Sequence, residues 1–364
     1  MNIDTLYQEV EKILQDYRKR APIRDKSKYI RAREGGAFFD GKFRNKLMML
    51  LATRGCKWYL ESGGCFMCSY NVSEPLKEFS AEEIINQIKK ITKKYGLKDK
   101  EVVYIYPYSS FDTKEMPEKA RMFIYNLLNQ YKNIKHVVFQ SRPEFITEEI
   151  LKEVKENLPE KKCYVEVGLE TSNDFIRKYC IHKGFEFEKV KEKVKLIKDY
   201  GLHPVAFILF KPPFLTEKES IEDVISSIKD SFKIGVESVI LMCNNIGEYS
   251  ITELLYNMKK YRVLWLWSTI EVLKNFNESD LNRIKVSGFK IGSVALEYPF
   301  NCKICNEKFM KAIEEFNKGR NFSVFEGLDC KCKNEWRKEL KRKYPPLKDR
   351  IIEDYKELIS FYKK

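Results

Sequence analysis

The stretch LMMLLATRGCKWYLESGGCFMCSYN, residues 47–71, joins a short apolar run to a loop with three cysteines. Leu47–Thr53 predicts a buried β-strand, because the run is continuous, apolar and far too short for a membrane span. Cys56, Cys65 and Cys68 follow this strand among glycines that allow a close turn. Three thiolates are one fewer than a closed zinc site or an ordinary iron–sulfur cluster needs. The loop therefore predicts a metal centre with an open coordination position; the alternative is a zinc-binding or incidental CxxC pair.

Five further apolar runs follow the first, and segments with helical periodicity separate them. The six predicted strands are Leu47–Thr53, Val102–Tyr108, His136–Gln140, Cys163–Leu169, His203–Phe210 and Val236–Cys243. Two of the helices open with a capping box, Ser80 with Glu83 and Thr216 with Glu219. This alternation predicts an α/β fold with a parallel sheet, either open or curled as a partial barrel, because six units are too few for a closed (β/α)8 barrel. A functional site is expected at the carboxyl ends of the strands.

Polar side chains follow three of these strands. Ser109, Ser110 and Asp112 follow the second strand, and Gln140, Ser141, Arg142 and Glu144 follow the third, while Glu166 and Glu170 flank Gly168 on the fourth. An unpaired buried carboxylate is costly, so these residues as a set predict a site at the sheet edge. The alternative is a series of salt bridges and turn caps.

A second group of cysteines lies near the C-terminal end of the sequence. Cys302, Cys305, Cys330 and Cys332 form a CxxC pair, a gap of 24 residues and a CxC pair. Two close pairs are typical of a tetrahedral structural zinc site; a second iron–sulfur cluster or four unligated thiols are the alternatives. Cys163, Cys180 and Cys243 have no partner spacing and are predicted to be buried core residues.

The 364 residues carry a formal net charge of +14, and the excess is confined to two stretches. Arg18–Lys46 contains 11 basic and 3 acidic residues, and Lys331–Lys364 contains 12 and 6. Because Lys and Arg supply phosphate contacts, these stretches predict a polyanionic partner such as nucleic acid; two solvated basic faces are the alternative. Neither a membrane span nor a secretion signal is found, so we expect a cytoplasmic chain whose reduced thiols serve as metal ligands rather than disulfides.

The cysteine loop resembles that of the radical SAM superfamily, in which three cysteines after the first strand of a partial (β/α)6 barrel hold a [4Fe–4S] cluster. In that superfamily the free iron binds S-adenosyl-L-methionine (SAM). Two features depart from the common pattern: eight residues separate Cys56 from Cys65, and Met67 replaces the usual aromatic before the third cysteine. The long first gap is seen in the branch that includes the elongator-type catalytic subunit.

Further segments resemble the radical SAM archaeosine synthase family (RaSEA) more narrowly. They are SRPEFIT (141–147), VEVGLETSND (165–174), IRKYCIHKGFEFE (176–188), LFKPPFLTEKE (209–219) and YRVLWLWSTIEVL (261–273). The resemblance implies an N-terminal helical and basic extension (1–45), a radical SAM partial barrel (46–295) and a C-terminal subdomain with the four cysteines and basic helices (296–364).

The same resemblance implies roles for residues beyond the cysteines. Tyr108, Ser109, Ser110 and Phe111 would replace the glycine-rich edge that receives the methionyl amino group of SAM. Glu166, Glu170 and Lys211 would lie near the nucleoside or substrate, and Gln140 and Arg142 join them as candidates for binding the cofactor.

The activity that the resemblance implies is the last step of archaeosine formation in tRNA. An ArcS-type lysine transferase attaches lysine to the cyano-deazaguanine base preQ0 in the D-loop. The radical SAM enzyme, supplied by an external electron donor, then abstracts hydrogen from the lysine by means of a 5′-deoxyadenosyl radical, and C–N cleavage leaves archaeosine. The alternatives are a radical SAM enzyme for a small metabolite or protein, and a zinc-containing nucleic-acid-binding protein without catalysis.

Overall fold

The strand predicted at Leu47–Thr53 is the second of eight strands in one curled sheet. The computed structural model describes residues 2–23, 31–72, 77–289 and 295–364, so Arg24, Lys26 and Lys28 of the first basic stretch lie outside the described residues. In chain order the strands of this sheet are β1 (Ala32–Phe39), β2 (Lys42–Leu50), β3 (Val102–Tyr106), β4 (His136–Ser141), β5 (Lys162–Glu170), β6 (His203–Phe210), β7 (Ser238–Cys243) and β9 (Ile284–Ser287).

The strands lie side by side in the order in which the chain visits them. Strand β1 is antiparallel to β2, and every later pair is parallel, ending with β7 beside β9. A separate antiparallel pair consists of β8 (Ile246–Gly247) and β10 (Ala295–Glu297). The predicted partial barrel is thus confirmed, with two strands added at its edges.

The two added strands have weak sequence signals. Strand β1, with the sequence AREGGAFF, contains two charges and two glycines, and β9 has only four residues. Part of the predicted N-terminal extension is therefore a strand of the sheet. The division of the chain at residues 45 and 295 stays a prediction.

The described residues form helices on the outer face of the sheet and around the cysteines that follow β2. These helices are α1 (Ile3–Lys19), α2 (Lys57–Ser62), α3 (Ala81–Tyr95), α4 (Glu118–Asn129), α5 (Glu148–Asn157), α6 (Phe187–Asp199), α7 (Glu217–Lys233), α8 (Ile251–Asn257), α9 (Leu266–Leu273), α10 (Glu278–Leu281), α11 (Asn306–Gly319), α12 (Lys333–Lys341) and α13 (Leu347–Lys363). Both predicted capping boxes are present at the starts of α3 and α7. Within the described residues, no helix combines the length and the apolar character needed to cross a membrane.

Alternation along each strand separates an outer core from the barrel interior. On β3, Val103 and Ile105 pack with the helices, while Tyr104 and Tyr106 belong to a second apolar cluster on the inner face. Glu166 on β5 has the same parity as Tyr164 of that inner cluster. The interior is consequently lined by aromatic and charged side chains, which a continuous apolar run alone does not predict.

Two helices from opposite ends of the sequence pack against each other. Helix α1 contacts α13, and the Tyr362 hydroxyl donates to Asp16 Oδ2 at 2.8 Å. Leu6 of α1 and Tyr355 of α13 share an apolar cluster with Cys65 and Phe66. Parts of the two basic stretches therefore meet beside the first group of cysteines.

Helix α11 spans the gap between the two edge strands. The Asn317 side chain accepts from Val286 N at 2.9 Å and donates to Val286 O at 2.8 Å, which pairs the free edge of β9. Arg320, directly after α11, lies with its guanidinium 5.0 Å from the ring of Phe38 on β1. Helix α11 thus covers part of the opening between β9 and β1, the two edge strands of the curled sheet.

Candidate functional site

The cysteine loop, residues 55–68, begins at the carboxyl end of β2. Cys56 precedes α2, which ends at Gly63 in the left-handed region, and Gly64 has φ of 83°. A Cβ at Gly64 would lie 2.9 Å from Arg18 Nη1, so this position requires glycine. Beyond it, Cys68 N donates to Cys65 O at 3.1 Å, which closes a tight turn. The three cysteines thus lie on one short segment with a tight turn, and their role as cluster ligands stays a prediction.

A buried guanidinium from α1 is fixed against this loop. Arg18 is only 5% exposed, and its Nη2 donates to the carbonyls of Cys65, at 2.9 Å, and of Cys68. Its Nε donates to Tyr249 O at 3.2 Å, whereas its Nη1 is buried and has no hydrogen-bond partner among the described residues. The charge of Arg18 acts on all three cysteines. A positive group with an unused donor therefore faces the thiols.

Two further cations lie beside Cys65. The Lys183 ammonium pairs with Glu170 Oε1 at 2.7 Å, and Gly168 leaves room for this pair, since a Cβ there would lie 2.9 Å from Lys183 Nζ. Burial raises the pKa of the Cys65 thiol to about 11, while the charges of Lys183 and Arg142 act in the opposite direction. Burial likewise raises the pKa of Cys68, against the charge of Arg18.

This environment fits an iron–sulfur cluster better than a single ion. Within the described residues, only Cys302, Cys305, Cys330 and Cys332 bring three or more ligand atoms within 4.8 Å of one another, so the sulfurs of the cysteine loop do not converge on one ion. Sulfurs that bind different irons of a cluster need a wider spacing. Thiolates on such a cluster carry net negative charge, and a buried negative charge requires positive neighbours. Arg18 supplies one without an acidic partner among the described residues, while Arg142 and Lys183 act on Cys65 although they also pair with Glu144 and Glu170.

An aromatic stack supports the cysteine loop from behind. The rings of Phe66 and His182 are parallel within 9° with centroids 5.0 Å apart, and Trp58 Nε1 donates to His182 O at 2.7 Å. The Tyr7 hydroxyl of α1 hydrogen-bonds to His182 Nδ1 at 2.5 Å. Burial lowers the pKa of His182 to about 4, so its imidazole is neutral at neutral pH. Helix α1 therefore contacts the loop directly through Arg18 and indirectly through the hydrogen bond of Tyr7 with the neutral His182.

The segment Tyr108–Phe111 forms a rigid turn at the carboxyl end of β3. The amides of Ser109 and Ser110 donate to the carboxylate of Glu115 at 2.8 and 2.7 Å. Phe111 N donates to the carbonyl of Gln140 at 2.8 Å, and Arg31 Nη1 contacts the Tyr108 hydroxyl at 3.0 Å. Burial raises the pKa of Glu115 to about 8. The predicted SAM edge is thus a preformed turn, and its role in binding SAM stays a prediction.

Arg142 links this turn to the cysteine loop. Its amide donates to Ser110 Oγ at 3.0 Å, and its Nη2 donates to Glu144 Oε1 at 2.6 Å and to Lys183 O at 2.9 Å. A cavity of about 440 Å³ opens here, lined in part by Trp58, Asp112, Arg142, Glu144 and Gly184. The structure therefore brings Arg142 and Glu170 together with the cysteine loop, as expected for a site at the strand ends.

Glu166 and Lys211 lie in different surroundings. Glu166 is inside the barrel and accepts from the Tyr106 hydroxyl, and burial raises its pKa to about 7. The Lys211 ammonium pairs with Glu217 Oε2 at 2.6 Å, and Glu217 also accepts from Trp265 N at 3.0 Å and from Ser268 Oγ. Lys211 thus joins β6 to α7 and α9 in this structure; contact with a substrate stays a prediction.

The four C-terminal cysteines form a compact group, the four-cysteine site. The Sγ atoms of Cys302 and Cys305 are 3.5 Å apart, and the distances from Cys302 to Cys330 and from Cys305 to Cys332 are each 3.6 Å. Trp267 Nε1 donates to Cys332 Sγ at 3.4 Å. The predicted pairing of the two short motifs is therefore present as geometry, while Cys163, Cys180 and Cys243 are buried as expected.

Arg18, Glu115 and Lys183 are site residues that the sequence patterns did not reveal. Arg18 and Glu115 each have a partner far away in sequence, in the contact of Arg18 with Cys65 and of Thr53 with Glu115. No periodicity or motif marks such pairs. Only the buried position of a charged residue shows their importance, and burial becomes visible in the fold.

Comparison with known proteins finds one family model and several relatives that are similar to this chain. The family model described as Radical SAM superfamily matches residues 50–228. An uncharacterized protein of Methanocaldococcus jannaschii is 34% identical over 337 residues, covering 90% of this chain and 91% of that protein. Archaeosine synthase subunit beta of Methanosarcina acetivorans is 30% identical, covering 84% and 88%, and that of Thermococcus kodakarensis is 30% identical, covering 81% and 92%.

Among solved structures, methylornithine synthase (PylB) has a TM-score of 0.48 and 16% identity, covering 89% of this chain and 91% of that chain.

Proposed function

This chain belongs to the radical SAM superfamily, within the family of the archaeosine synthase beta subunits, and from that premise we propose that it modifies tRNA. The observation that carries the proposal is the 30% identity to two archaeosine synthase beta subunits, of which the chain spans 88% and 92%. It is a radical SAM enzyme, and the residues that would hold its cofactors lie at the carboxyl ends of the strands.

The cysteine loop would hold a [4Fe–4S] cluster through Cys56, Cys65 and Cys68, with SAM at the remaining iron. When bound, this pair supplies a 5′-deoxyadenosyl radical that abstracts hydrogen from the substrate. The chain's own residues would hold and shield the pair: Arg18, Arg142 and Lys183 would act on its negative charge, and the stack of Phe66 on His182 would exclude water from one side of the loop. The turn Tyr108–Phe111 would position SAM.

The substrate is proposed to be the lysine adduct of preQ0 in the tRNA D-loop, which becomes archaeosine by cleavage of a lysine C–N bond. An ArcS-type lysine transferase would supply this substrate, and an external donor would supply the electron. The word subunit in the names of the relatives supports a second protein component.

Zinc is proposed for the four-cysteine site. A tetrahedral ion with Zn–S bonds of about 2.3 Å places its sulfurs about 3.8 Å apart. The observed separations of 3.5 and 3.6 Å are close to this value and much too short for sulfurs on different irons of a [4Fe–4S] cluster. The geometry therefore favours one structural ion over a second cluster.

The tRNA is proposed to bind near the four-cysteine site through α12 and the turn that follows. Lys341, Arg342 and Lys343 are exposed, and none of them forms an ion pair with another residue in the described part of the chain. Arg18 of the N-terminal stretch, in contrast, is buried against the cysteine loop.

An anaerobic assay with SAM, a reductant and tRNA carrying the lysine adduct tests the function. Archaeosine and 5′-deoxyadenosine are expected by mass spectrometry, with no archaeosine from tRNA that carries preQ0 without lysine. If 5′-deoxyadenosine forms but the lysine-bearing base is unchanged, a radical SAM enzyme with another substrate is indicated. A protein that binds zinc but no iron after reconstitution would exclude the radical mechanism.

A further inference from the structure

A second cavity, of about 680 Å³, lies inside the barrel at the amino ends of its strands, opposite the cysteine loop. We call it the barrel cavity. Its lining combines aromatic rings with charged groups, including Phe39, Tyr104, Tyr164, Glu166, Lys285 and Arg320. An empty packing defect is apolar, whereas a lining of this kind suits water or a ligand with both apolar and charged parts.

The charges in the barrel cavity are not paired with one another. Glu166 is 2% exposed, and its one described hydrogen bond comes from the Tyr106 hydroxyl. The ammonium groups of Lys46 and Lys285 lie 5.3 and 5.9 Å from the centre of the Tyr104 ring. Across the described ranges, no acidic side chain lies within 4.0 Å of either ammonium, although both act electrostatically on Glu166. Glu166 and Lys285 thus line the barrel cavity without an ion-pair partner among the described residues, whereas Lys46 is not among the lining residues and burial lowers its pKa to about 7.

Arg320 adds a donor at the side of the cavity. It is 6% exposed, its Nη1 donates to Asn317 O at 3.1 Å, and its Nε is buried without a hydrogen-bond partner among the described residues. An unsatisfied buried donor is unfavourable unless something binds it. The cations at the outer rim, in contrast, have partners: Lys318 pairs with Glu315 at 2.7 Å.

We propose that the barrel cavity binds the α-amino acid group of the substrate's lysine, with Glu166 facing its ammonium and Lys285 and Arg320 facing its carboxylate. This inference rests on the proposed function, which brings a lysine side chain into the barrel. A phosphate would satisfy Lys285 and Arg320 but repel Glu166, and an amine would satisfy Glu166 but repel the two cations. A zwitterion completes both halves of the charge set.

The position of Glu166 suits a lysine that enters from the cysteine loop. Strands rise about 3.3 Å per residue, so Glu166 lies about 13 Å along β5 from Glu170, which pairs with Lys183 beside Cys65. A lysine that enters with its amino acid group first would reach Glu166 while its ε-nitrogen stays nearer the cysteine loop. The barrel cavity would therefore hold the far end of the side chain.

Isothermal titration of the reconstituted, iron-loaded protein with N6-acetimidoyl-L-lysine tests this inference. This small molecule carries the amidine and the amino acid group without the tRNA. Saturable binding is expected for the wild type, and it should weaken by at least about tenfold in Glu166→Gln and Lys285→Met, which remove one charge each while keeping side-chain size. Glu237→Gln and Lys318→Met are matched controls at the cavity rim, where each residue already has a partner, and they should bind normally.

A double-mutant-type cycle, which combines Glu166→Gln with an analogue of the probe that lacks one group, shows which group Glu166 contacts. The analogue without the α-amino group should bind the wild type more weakly, and Glu166→Gln should cause no further loss with that analogue. Melting temperatures near the wild-type value show that the variants are folded.

Equal affinity in the wild type and both interior variants, or no binding of the probe, would overturn the inference. Failure of the proposed function is a separate result. It would show as wild-type protein that binds the probe but does not convert lysine-bearing tRNA.

Discussion

Removal of the metal from the four-cysteine site should unfold α12 and leave the barrel intact. Helix α12 has nine residues, of which only Trp336 is buried. Ordering a residue costs about 1–2 kcal/mol, so the helix needs on the order of 9–18 kcal/mol. Burial of one tryptophan returns about 3 kcal/mol, whereas a structural zinc contributes about 10–16 kcal/mol. Without the ion, the segment that contains α12 should therefore be disordered.

Helix α11 should behave differently, although it begins next to Cys305. Phe309, Ile313 and Phe316 are fully buried in the main core, and Asn317 pairs with β9. These contacts do not depend on the metal. The boundary between the metal-dependent and metal-independent parts should consequently fall between Arg320 and Cys330.

The assay is Cys330→Ser, with Cys163→Ser as the matched control, since Cys163 is a buried cysteine without metal-ligand geometry. The control should keep one zinc per chain by elemental analysis. Cys330→Ser should lose it, expose Trp336 as a red shift in tryptophan fluorescence, and become sensitive to protease between residues 326 and 346. A zinc-free variant with unshifted fluorescence and full protease resistance would refute this reasoning.

Three further predictions concern the cysteine loop, the basic C-terminal stretch and the neutral histidine. Alanine at any one of the three cysteines of the loop should abolish the brown colour and lower the iron content after anaerobic reconstitution, while zinc stays bound; full iron retention would exclude the proposed ligand set. Charge reversal across Lys341–Lys343 should weaken tRNA binding and flatten its salt dependence by about 0.9 in log–log slope for each phosphate that the variant no longer binds, whereas reversal of Lys189, Lys191 and Lys195 on α6, which are already ion-paired, should not. The pKa of His182 is lowered from 6.5 to about 4 by burial, so the unfolded chain takes up a proton first as the pH falls. The stability that neutral His182 provides is therefore present above pH 6.5 and lost toward pH 4, and the difference in unfolding free energy between the wild type and His182→Asn should shrink by roughly 2–3 kcal/mol over that range; a constant difference would contradict this assignment.

The sequence predicted the parts of the fold that depend on local pattern. The six apolar runs and both capping boxes are confirmed, because a buried parallel strand and a helix start are each specified within a few residues. Strand β1 was not predicted, because its glycines and charges are not typical of a strand. It is held in the sheet by its antiparallel pairing with β2. Strand β9 is short enough that its place at the edge depends on Asn317 of α11.

In the candidate site, too, features set by local sequence were predicted and features set by tertiary packing were not. Cysteine spacing predicted two metal-binding segments, since ligands of one site are often close in sequence, and the structure groups the four sulfurs of the C-terminal one. Spacing could not show that the sulfurs of the four-cysteine site are 3.5–3.6 Å apart while those of the cysteine loop are not grouped within 4.8 Å, which distinguishes the two. It also could not reveal Arg18, whose role depends on how α1 packs, or the pairing of Lys211 with Glu217.

The packing of α1 against α13 limits when, during synthesis of the chain, the cysteine loop can reach its final packing. The cysteine loop ends at Cys68, but the helix that buttresses α1 above it begins only at Leu347. At about 5–20 residues per second, a ribosome needs on the order of tens of seconds to make the intervening chain. During that interval the three thiols emerge without their final cover and are open to oxygen and to adventitious metals. Cluster insertion should thus follow synthesis rather than accompany it, because α1 gains its packing partner only when α13 has been made.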